Sequence, residues 1–329
     1  MKKIAVIILA LAFLATHAVA DEGDAGYSGA FMRSGVGARP LGMGGAFTAI
    51  GEGPEATYFN PAGLGFDMRL GVSLSYKALS LDRHVGHIAV SFPIRSEAVM
   101  AASWVNAGVS DIVGRGSSQQ IIGEVNNNQN AFTLSFAKAI DSSIAFGASL
   151  RYLQEKLDNL DVFTIGVDVG FLFRYRQLIS LGGVVQNLGS TYRWDTNAYW
   201  GEGTTYEERF PVLFKFGLAG SLLDGRVIPA VDLEKSDKTR TLFRVGAEYW
   251  FTRKVIQLVE DEYEEGRFNE VEMYKRWAGL RIGIDRGSPT FGGSLAYLRG
   301  NLSATIEYAY LIGQHGTSDG HLFTLKMGF

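Results

Sequence analysis

The chain has 329 residues, a length that allows either two soluble domains or one large β domain. It contains no cysteine, so no disulfide holds the fold, and its net charge of -3 argues against a nucleic-acid partner, which would need a basic surface. The 41 glycines, the 12% of aromatic residues and the mere 7 prolines suit sheets that close on themselves.

The first predicted element is a signal peptide over residues 1–20. Lys2 and Lys3 give it a positive start, residues 4–15 form an apolar run, and residues 18–20 carry the small-x-small cleavage pattern. The apolar run is too short to span a bilayer as a helix, and no later stretch predicts a transmembrane helix. Because no cysteine follows the cleavage site, we expect an exported protein without a lipid anchor.

Residues 21–66 form a glycine-rich segment without strand periodicity, and they have two plausible locations. The segment is either a periplasmic tail or a plug (hatch) inside the lumen of a barrel. Apolar residues such as Phe47, Phe59 and Leu64 need burial, which favours the plug. Asn60-Pro61 predicts a stiff corner, which is either a hinge of the plug or an ordinary structural turn.

The glycines of this segment also raise the question of a phosphate-binding loop. Such a loop follows a strand and opens a helix, and neither is indicated around residues 35–45. We therefore expect these glycines to allow close backbone packing of the plug.

From residue 67 to residue 329 the dominant period is two, which predicts a transmembrane β-barrel. Phe163, Ile165 and Val167, for example, alternate with Thr164 and Gly166. The predicted strands are 70–79, 85–93, 97–107, 130–139, 143–153, 161–174, 178–188, 210–222, 227–235, 240–252, 276–285, 290–299, 301–312 and 320–329. Fourteen is an even number, as expected for a single-chain bacterial barrel, and most of these strands are long enough to cross the hydrocarbon layer.

Alternation by itself does not distinguish a membrane barrel from a soluble β-sandwich. Aromatic residues cluster toward strand ends, as in interfacial girdles, and the polar face is rich in small residues. The alternating last strand ends on Phe329, which resembles the signal read by the barrel-assembly machinery. These features favour the cell outer membrane, where outer-membrane lipid surrounds the wall.

The predicted loops are long at one end and short at the other, except at residues 253–275. If the first strand runs outward, 108–129 and 189–209 are extracellular loops, whereas 253–275 is a periplasmic insertion. Val255, Ile256, Leu258 and Val259 have a spacing that suits one face of a short amphipathic helix. The insertion is either a solvated excursion or a helix that docks a periplasmic partner.

Charged residues on the polar face of the predicted strands are expected to point into the lumen. Because unpaired charge is costly there, a paired network is the default interpretation, and a polar constriction that selects solutes is the alternative. The lumen set comprises Asp168, Lys215, Asp232, Arg244, Glu248, Arg281 and Glu307, with Glu234, Asp285 and Lys326 on the same faces.

The sequence does not indicate an enzyme. His84 and His87 would face opposite ways on a strand, which argues against a shared metal, and there is no cysteine nucleophile or HExxH motif. We expect no catalytic residue, no metal and no cofactor.

Two motifs carry a family resemblance that extends over nearly all of the mature chain. The stretch GARPLGMGGAFTA at residues 37–49, followed by ATYFNPAGL at 56–64, resembles the N-terminal signature of the PorV/PorQ group of the FadL-like outer-membrane barrels. VQNLG at 185–189 and GAEYWF at 246–251 are further matches. The insertion at 253–275 departs from the family pattern, which usually has a tight turn there, and puts the partner set in doubt.

The resemblance implies a 14-stranded barrel whose N-terminal hatch obstructs the lumen. Its hatch or gate residues would be Gly42, Gly44, Gly45, Asn60, Pro61, Ala62 and Gly63. In FadL-like transporters, movement of the hatch lets hydrophobic small molecules pass, which is the function we expect. The alternative is a PorV-like scaffold that does not transport and binds secreted cargo proteins in type IX secretion.

Overall fold

The computed structural model describes residues 26–94, 98–115, 118–197, 202–260, 268–300, 302–313 and 319–329. The predicted signal peptide lies outside these residues. Within them the chain is all-β apart from a few short helical turns, and fourteen antiparallel strands form one closed barrel. The prediction of an all-β barrel with fourteen strands is therefore confirmed.

Each barrel strand pairs with its neighbour along the chain, and a separate hairpin, β8–β9, lies between β7 and β10. The strands are β1 (Gly71–Ala78), β2 (Arg83–Ile94), β3 (Ala98–Arg115), β4 (Ile121–Ala139), β5 (Ile144–Leu157), β6 (Leu160–Tyr175), β7 (Ile179–Leu188), β8 (Thr191–Asp195), β9 (Thr205–Arg209), β10 (Leu213–Gly220), β11 (Val227–Ser236), β12 (Leu242–Glu260), β13 (Phe268–Asp285), β14 (Ser288–Arg299), β15 (Leu302–Leu311) and β16 (Gly320–Gly328).

The ring closes between β1 and β16, where Gly71 pairs with Gly328 and Ala78 with His321. The backbone N–H of Phe329 donates to the carbonyl of Leu70, so the beginning and the end of the wall lie at the same rim. We call this the terminal rim and the other end the opposite rim. Closure pairs the two strands that would otherwise leave unpaired backbone groups at an edge.

Large apolar side chains face outward and small or polar ones face inward. On β6, Phe163 is 63% exposed, whereas its neighbours Val162 and Thr164 are buried. The alternation follows from the two-residue period of a strand, which sends successive side chains to opposite faces. In the described part of the chain, none of the helices has both the length and the apolar character that a membrane span requires.

Two segments that were predicted as loops contain β-strands. β3 and β4 continue through most of residues 108–129, and the 189–209 connection contains the β8–β9 hairpin. Asn106 faces Asn130, and Val109 faces Asn127, across the extended β3–β4 pair. Polar residues on both strands concealed this extension in the sequence, because the pairing beyond the rim does not need an apolar face.

The amphipathic helix predicted at Val255–Val259 is wrong, because these residues belong to β12. Val255 pairs with Met273 and Glu260 with Phe268, so β12 and β13 continue past the terminal rim as a two-stranded ribbon. In the ribbon, the backbone groups of each strand hydrogen-bond to the other strand. The apolar spacing at residues 255–259 does not indicate this pairing, because it reports only on the local segment. Residues 261–267, the centre of the predicted insertion, lie outside the described residues.

Residues 26–66 precede the wall and contact its inward face, and we call them the inner segment. It contains α1 (Ala38–Gly42), α2 (Ala56–Phe59) and two 3-10 turns, Ala30–Arg33 and Pro61–Phe66. α1 contacts β13, β14 and β15, whereas the turn Pro61–Phe66 contacts β4, β5 and β6 on another arc of the wall. Phe47, Met43 and Leu64 are fully buried there, which satisfies the need for burial noted in the sequence.

Candidate functional site

Arg39 of α1 joins the inner segment to the wall through several carboxylates. Its Nε and Nη2 donate to the two carboxylate oxygens of Glu248 on β12 at 3.0 and 2.5 Å, and its Nη1 donates to Glu52 at 2.8 Å. Arg281 of β13 donates to Glu248 at 3.0 Å, and the backbone N–H of Arg39 donates to Glu307 at 3.2 Å. Two guanidinium groups therefore neutralise one carboxylate that is fully buried.

A second group of charges lies on the neighbouring strands β10–β13. Lys215 and Arg244 both approach Glu234, at 3.2 and 2.7 Å, and Arg244 also bonds Asp285 at 3.0 Å. Asp232 accepts instead from the backbone, since its Oδ2 bonds the N–H groups of Phe47 and Thr48, both at 2.9 Å. A wall carboxylate thus satisfies two backbone donors of the inner segment.

Asp168 and Glu307 are the remaining carboxylates of the predicted lumen set. Asp168 of β6 pairs with Arg151 of β5 at 2.5 Å and accepts from the backbone N–H of Asn187. Lys326 of β16 lies 2.9 Å from Glu55 of the inner segment and 3.5 Å from Glu307. All seven residues of the predicted lumen set therefore face inward, and each pairs with a charge or a backbone group.

Asn60 forms a corner between α2 and the turn Pro61–Phe66, and its side chain uses three hydrogen bonds. Its Nδ2 donates to the carbonyls of Thr48 and Phe171, at 2.9 and 3.0 Å, and its Oδ1 accepts from the N–H of Ala62. The Phe171 carbonyl belongs to β6, so this corner touches the wall directly. Asn60 is fully buried, which makes each of these bonds costly to lose.

Glycines allow the backbone of the inner segment to touch the wall. A Cβ added to Gly246 would lie 2.2 Å from the carbonyl oxygen of Met43, and one added to Gly283 would lie 2.2 Å from the N of Gly44. Gly44 and Gly45 have φ values of 65 and 78°, a conformation that favours glycine. Gly42 meets the backbone of Gly292 in the same way, whereas Gly63 meets the backbone of Gly51 within the inner segment. The other wall glycines in this set are Gly147, Gly170, Gly182, Gly217 and Gly292.

Sequence reasoning placed the wall charges but missed their partners in the inner segment. Arg39 and Glu55 are both buried, and neither was singled out. The available signal was Arg39 itself, a charged residue in an otherwise apolar and glycine-rich stretch. The wall glycines were noted only as members of the small-residue face, whereas the structure brings them against one backbone path.

An apolar cluster occupies the lumen toward the opposite rim. Phe59 packs edge-on against Phe47 and Tyr58, with ring centroids 5.4 and 4.9 Å apart, and Tyr192 of β8 packs against Phe210 at 4.8 Å. These residues share one buried core with inward-facing wall residues from β2 to β6. Burial raises the pKa of Tyr192, so its phenol stays neutral in this cluster.

A small cavity lies between the inner segment and the wall. A cavity of about 30 Å³ lies beside Tyr58, Lys215, Asp232 and Arg244. A larger groove of about 660 Å³ lies around β1–β3, β15 and β16, and it is lined mainly by side chains that face outward, such as Trp104 and Phe323.

The described residues do not include a cluster of three or more His, Cys, Asp or Glu side chains arranged to bind a metal. His87 is buried and faces inward, whereas His84 faces outward, stacks on Tyr76 and meets the Asn106 side chain. The structure thus places the two histidines on opposite faces, as the strand period predicted.

No protein-family model matches the chain, and no curated protein matches it. Solved barrels do. The chain is similar to the toluene transporter TodX of Pseudomonas putida, with a TM-score of 0.59 and 13% identity, covering 89% of this chain and 98% of that one. The toluene transporter TbuX of Ralstonia pickettii gives 0.57 and 13%, covering 89% and 97%. A FadL homologue of Pseudomonas aeruginosa gives 0.56 and 11%, covering 89% and 98%.

These similarities show that the chain has the fold of FadL-type barrels. The predicted resemblance is confirmed for the fold at this level. Membership of the narrower PorV/PorQ group stays a prediction that rests on the N-terminal motifs.

Proposed function

We propose that the chain is an outer-membrane barrel that passes small hydrophobic molecules and that the inner segment is its gate. The observation that carries this proposal is the inner segment, whose buried residues contact the wall on two separate arcs. The solved proteins that share the fold include two toluene transporters, which supports a hydrophobic substrate class. No catalytic role is proposed for any of the residues described above.

The outward face supports a location in lipid. Leu134, Phe163, Leu280 and Ile306 are each about 60% exposed, a condition that water disfavours and hydrocarbon does not. A closed ring leaves no strand edge facing the hydrocarbon, so the backbone groups of the wall stay paired there.

The small cavity supports a gate rather than an open pore. A volume of about 30 Å³ corresponds to roughly one water molecule, so it does not admit an aromatic or acyl solute. Passage therefore requires the inner segment to move. Its attachment to the wall includes the buried polar contacts of Arg39 and Asp232.

A reversible crosslink between the inner segment and the wall tests this gate. A Cβ at Gly42 would lie 3.5 Å from the Cβ of Arg281 on β13, which is within the range of Cβ–Cβ distances in disulfides. The chain has no cysteine of its own. We expect oxidised Gly42→Cys/Arg281→Cys to block uptake of labelled toluene into proteoliposomes, and a reductant to restore it.

The two single-cysteine variants are the matched controls, since they carry the same added side chains without the crosslink. Both are expected to respond to neither oxidant nor reductant. Equal uptake by the oxidised and reduced double variant, with the crosslink verified by mass spectrometry, would contradict the gate. An absence of uptake by the wild-type protein would contradict transport itself.

A secretion scaffold is the second candidate, and the β12–β13 ribbon favours it. Beyond residue 252 the ribbon pairs only with itself among the described strands, so it offers backbone edges outside the barrel to a periplasmic partner. Crosslinking in cells compares the full chain with a variant that lacks residues 254–274. Loss of a crosslinked cargo protein, with barrel assembly intact, would support the scaffold; an unchanged pattern would contradict it.

A further inference from the structure

Outward-facing cations follow aromatic residues at the terminal rim. On three strands an exposed aromatic side chain is followed two positions later, on the same face, by an exposed Lys or Arg. The three pairs are Phe136 and Lys138 on β4, Phe251 and Arg253 on β12, and Tyr297 and Arg299 on β14. Aromatic residues at this position mark the boundary between hydrocarbon and headgroups. The cations therefore lie at headgroup level, one step beyond that boundary.

The opposite rim also has outward-facing aromatic residues, but their neighbours differ. There the outward residue two positions beyond the aromatic side chain is neutral or acidic. The pairs are Trp104 and Asn106, Phe132 and Asn130, Tyr152 and Gln154, and Phe163 and Asp161. Trp104 and Asn106 both hydrogen-bond to Asn130, so these side chains satisfy one another. The cationic pattern is thus a property of one rim and not of the girdle in general.

Two cations face each other directly at the terminal rim. Arg253 of β12 and Lys275 of β13 are cross-strand partners on the outward face, where β12 and β13 leave the barrel. Like charges in directly opposed positions destabilise a sheet. Among the described residues no carboxylate pairs with either of them.

We propose that Arg253 and Lys275 bind the phosphate of an anionic phospholipid in the leaflet at the terminal rim. Phe251 and Trp277, whose ring centroids lie 6.1 Å apart, would contact the glycerol and the first methylenes of the same lipid. A bound phosphate would offset the repulsion between the two cations. The adjacent aromatic pair would contact the apolar part of the ligand, which favours a phospholipid over a free anion. Lys138 and Arg299 extend the same headgroup preference around the rim.

This inference rests on the membrane location proposed above. The test uses the full mature chain in nanodiscs of equal parts phosphatidylcholine and phosphatidylglycerol, with native mass spectrometry to identify the lipids retained on release. We expect the wild-type protein to retain phosphatidylglycerol preferentially. In Arg253→Gln/Lys275→Gln, the ratio of retained phosphatidylglycerol to phosphatidylcholine is expected to fall about fivefold for each cation removed.

Arg115→Gln/Lys156→Gln is the matched control, because it removes two exposed cations at the opposite rim. It should keep the wild-type preference. Equal preference in the wild type and in Arg253→Gln/Lys275→Gln, or an equal loss in the control, would overturn the inference. Free glycerophosphate that displaces the lipid would show anion binding without the lipid contacts and would also overturn it. Failure of the wild-type chain to enter nanodiscs would contradict the membrane location instead.

Discussion

Replacement of Arg39 by Met should release the inner segment without dismantling the barrel. Arg39 provides two bonds to Glu248, one to Glu52 and cation–π contacts with Phe47 and Trp250. Removing one member of a buried ion pair costs about 3–5 kcal/mol. Glu248 keeps its bond to Arg281, so we expect the lower end, about 3 kcal/mol. That energy raises the population of the released segment about 100-fold.

Two measurements on the same sample separate release from unfolding. Heat-modifiable mobility in gels reports the closed barrel, and limited proteolysis reports exposure of residues 26–66. We expect Arg39→Met to keep the first and to accelerate cleavage within the inner segment. Arg193→Met is the matched control, because Arg193 forms an exposed ion pair with Glu207 at 2.9 Å and should contribute 1 kcal/mol or less, on the order of other surface pairs.

A double substitution measures the coupling between Arg39 and Glu248. If Glu248 contributes mainly through Arg39, Arg39→Met/Glu248→Met should release the segment little more than Arg39→Met does, because the remaining Arg281 loses a partner but no buried carboxylate is left unpaired. Fully additive effects of the two substitutions would show that the residues act independently. Unchanged proteolysis of Arg39→Met would show that packing, and not this ion pair, holds the segment.

Two further predictions concern packing and the corner at Asn60. Gly246→Val should displace the inner segment at a cost of about 1–3 kcal/mol, since its Cβ would lie 2.2 Å from the Met43 carbonyl oxygen, and faster proteolysis of residues 26–66 would report it. Gly293→Ala, whose Cβ would lie 3.8 Å from the nearest atom, is the control and should leave cleavage unchanged. Asn60→Asp keeps the acceptor but loses both donated bonds, so we expect a cost of about 2–3 kcal/mol and faster toluene uptake through the released segment. Wild-type uptake in Asn60→Asp would contradict a role for this corner in the gate.

The sequence determined the wall of this protein. A two-residue period is a local property of an extended backbone, so alternation of the kind seen at Phe163 and Thr164 was sufficient to predict fourteen strands and their inward faces. The same local pattern placed Asp168, Arg244 and Glu248 inside the ring. It failed where the pairing continues beyond the rim, as at Val255 and Met273, because apolar spacing does not report which strand lies opposite.

How the inner segment meets this wall depends on contacts between residues far apart in the chain. Arg39 and Glu248 are 209 residues apart, and the Phe47 N–H and Asp232 are 185 apart. Such pairs depend on the path of the irregular backbone of the inner segment. This segment has no repeating residue period from which its path could be predicted. Gly246 and Gly283 allow that path because each lacks a Cβ where the backbone of the inner segment passes, and this requirement arises only after the ring has closed around it.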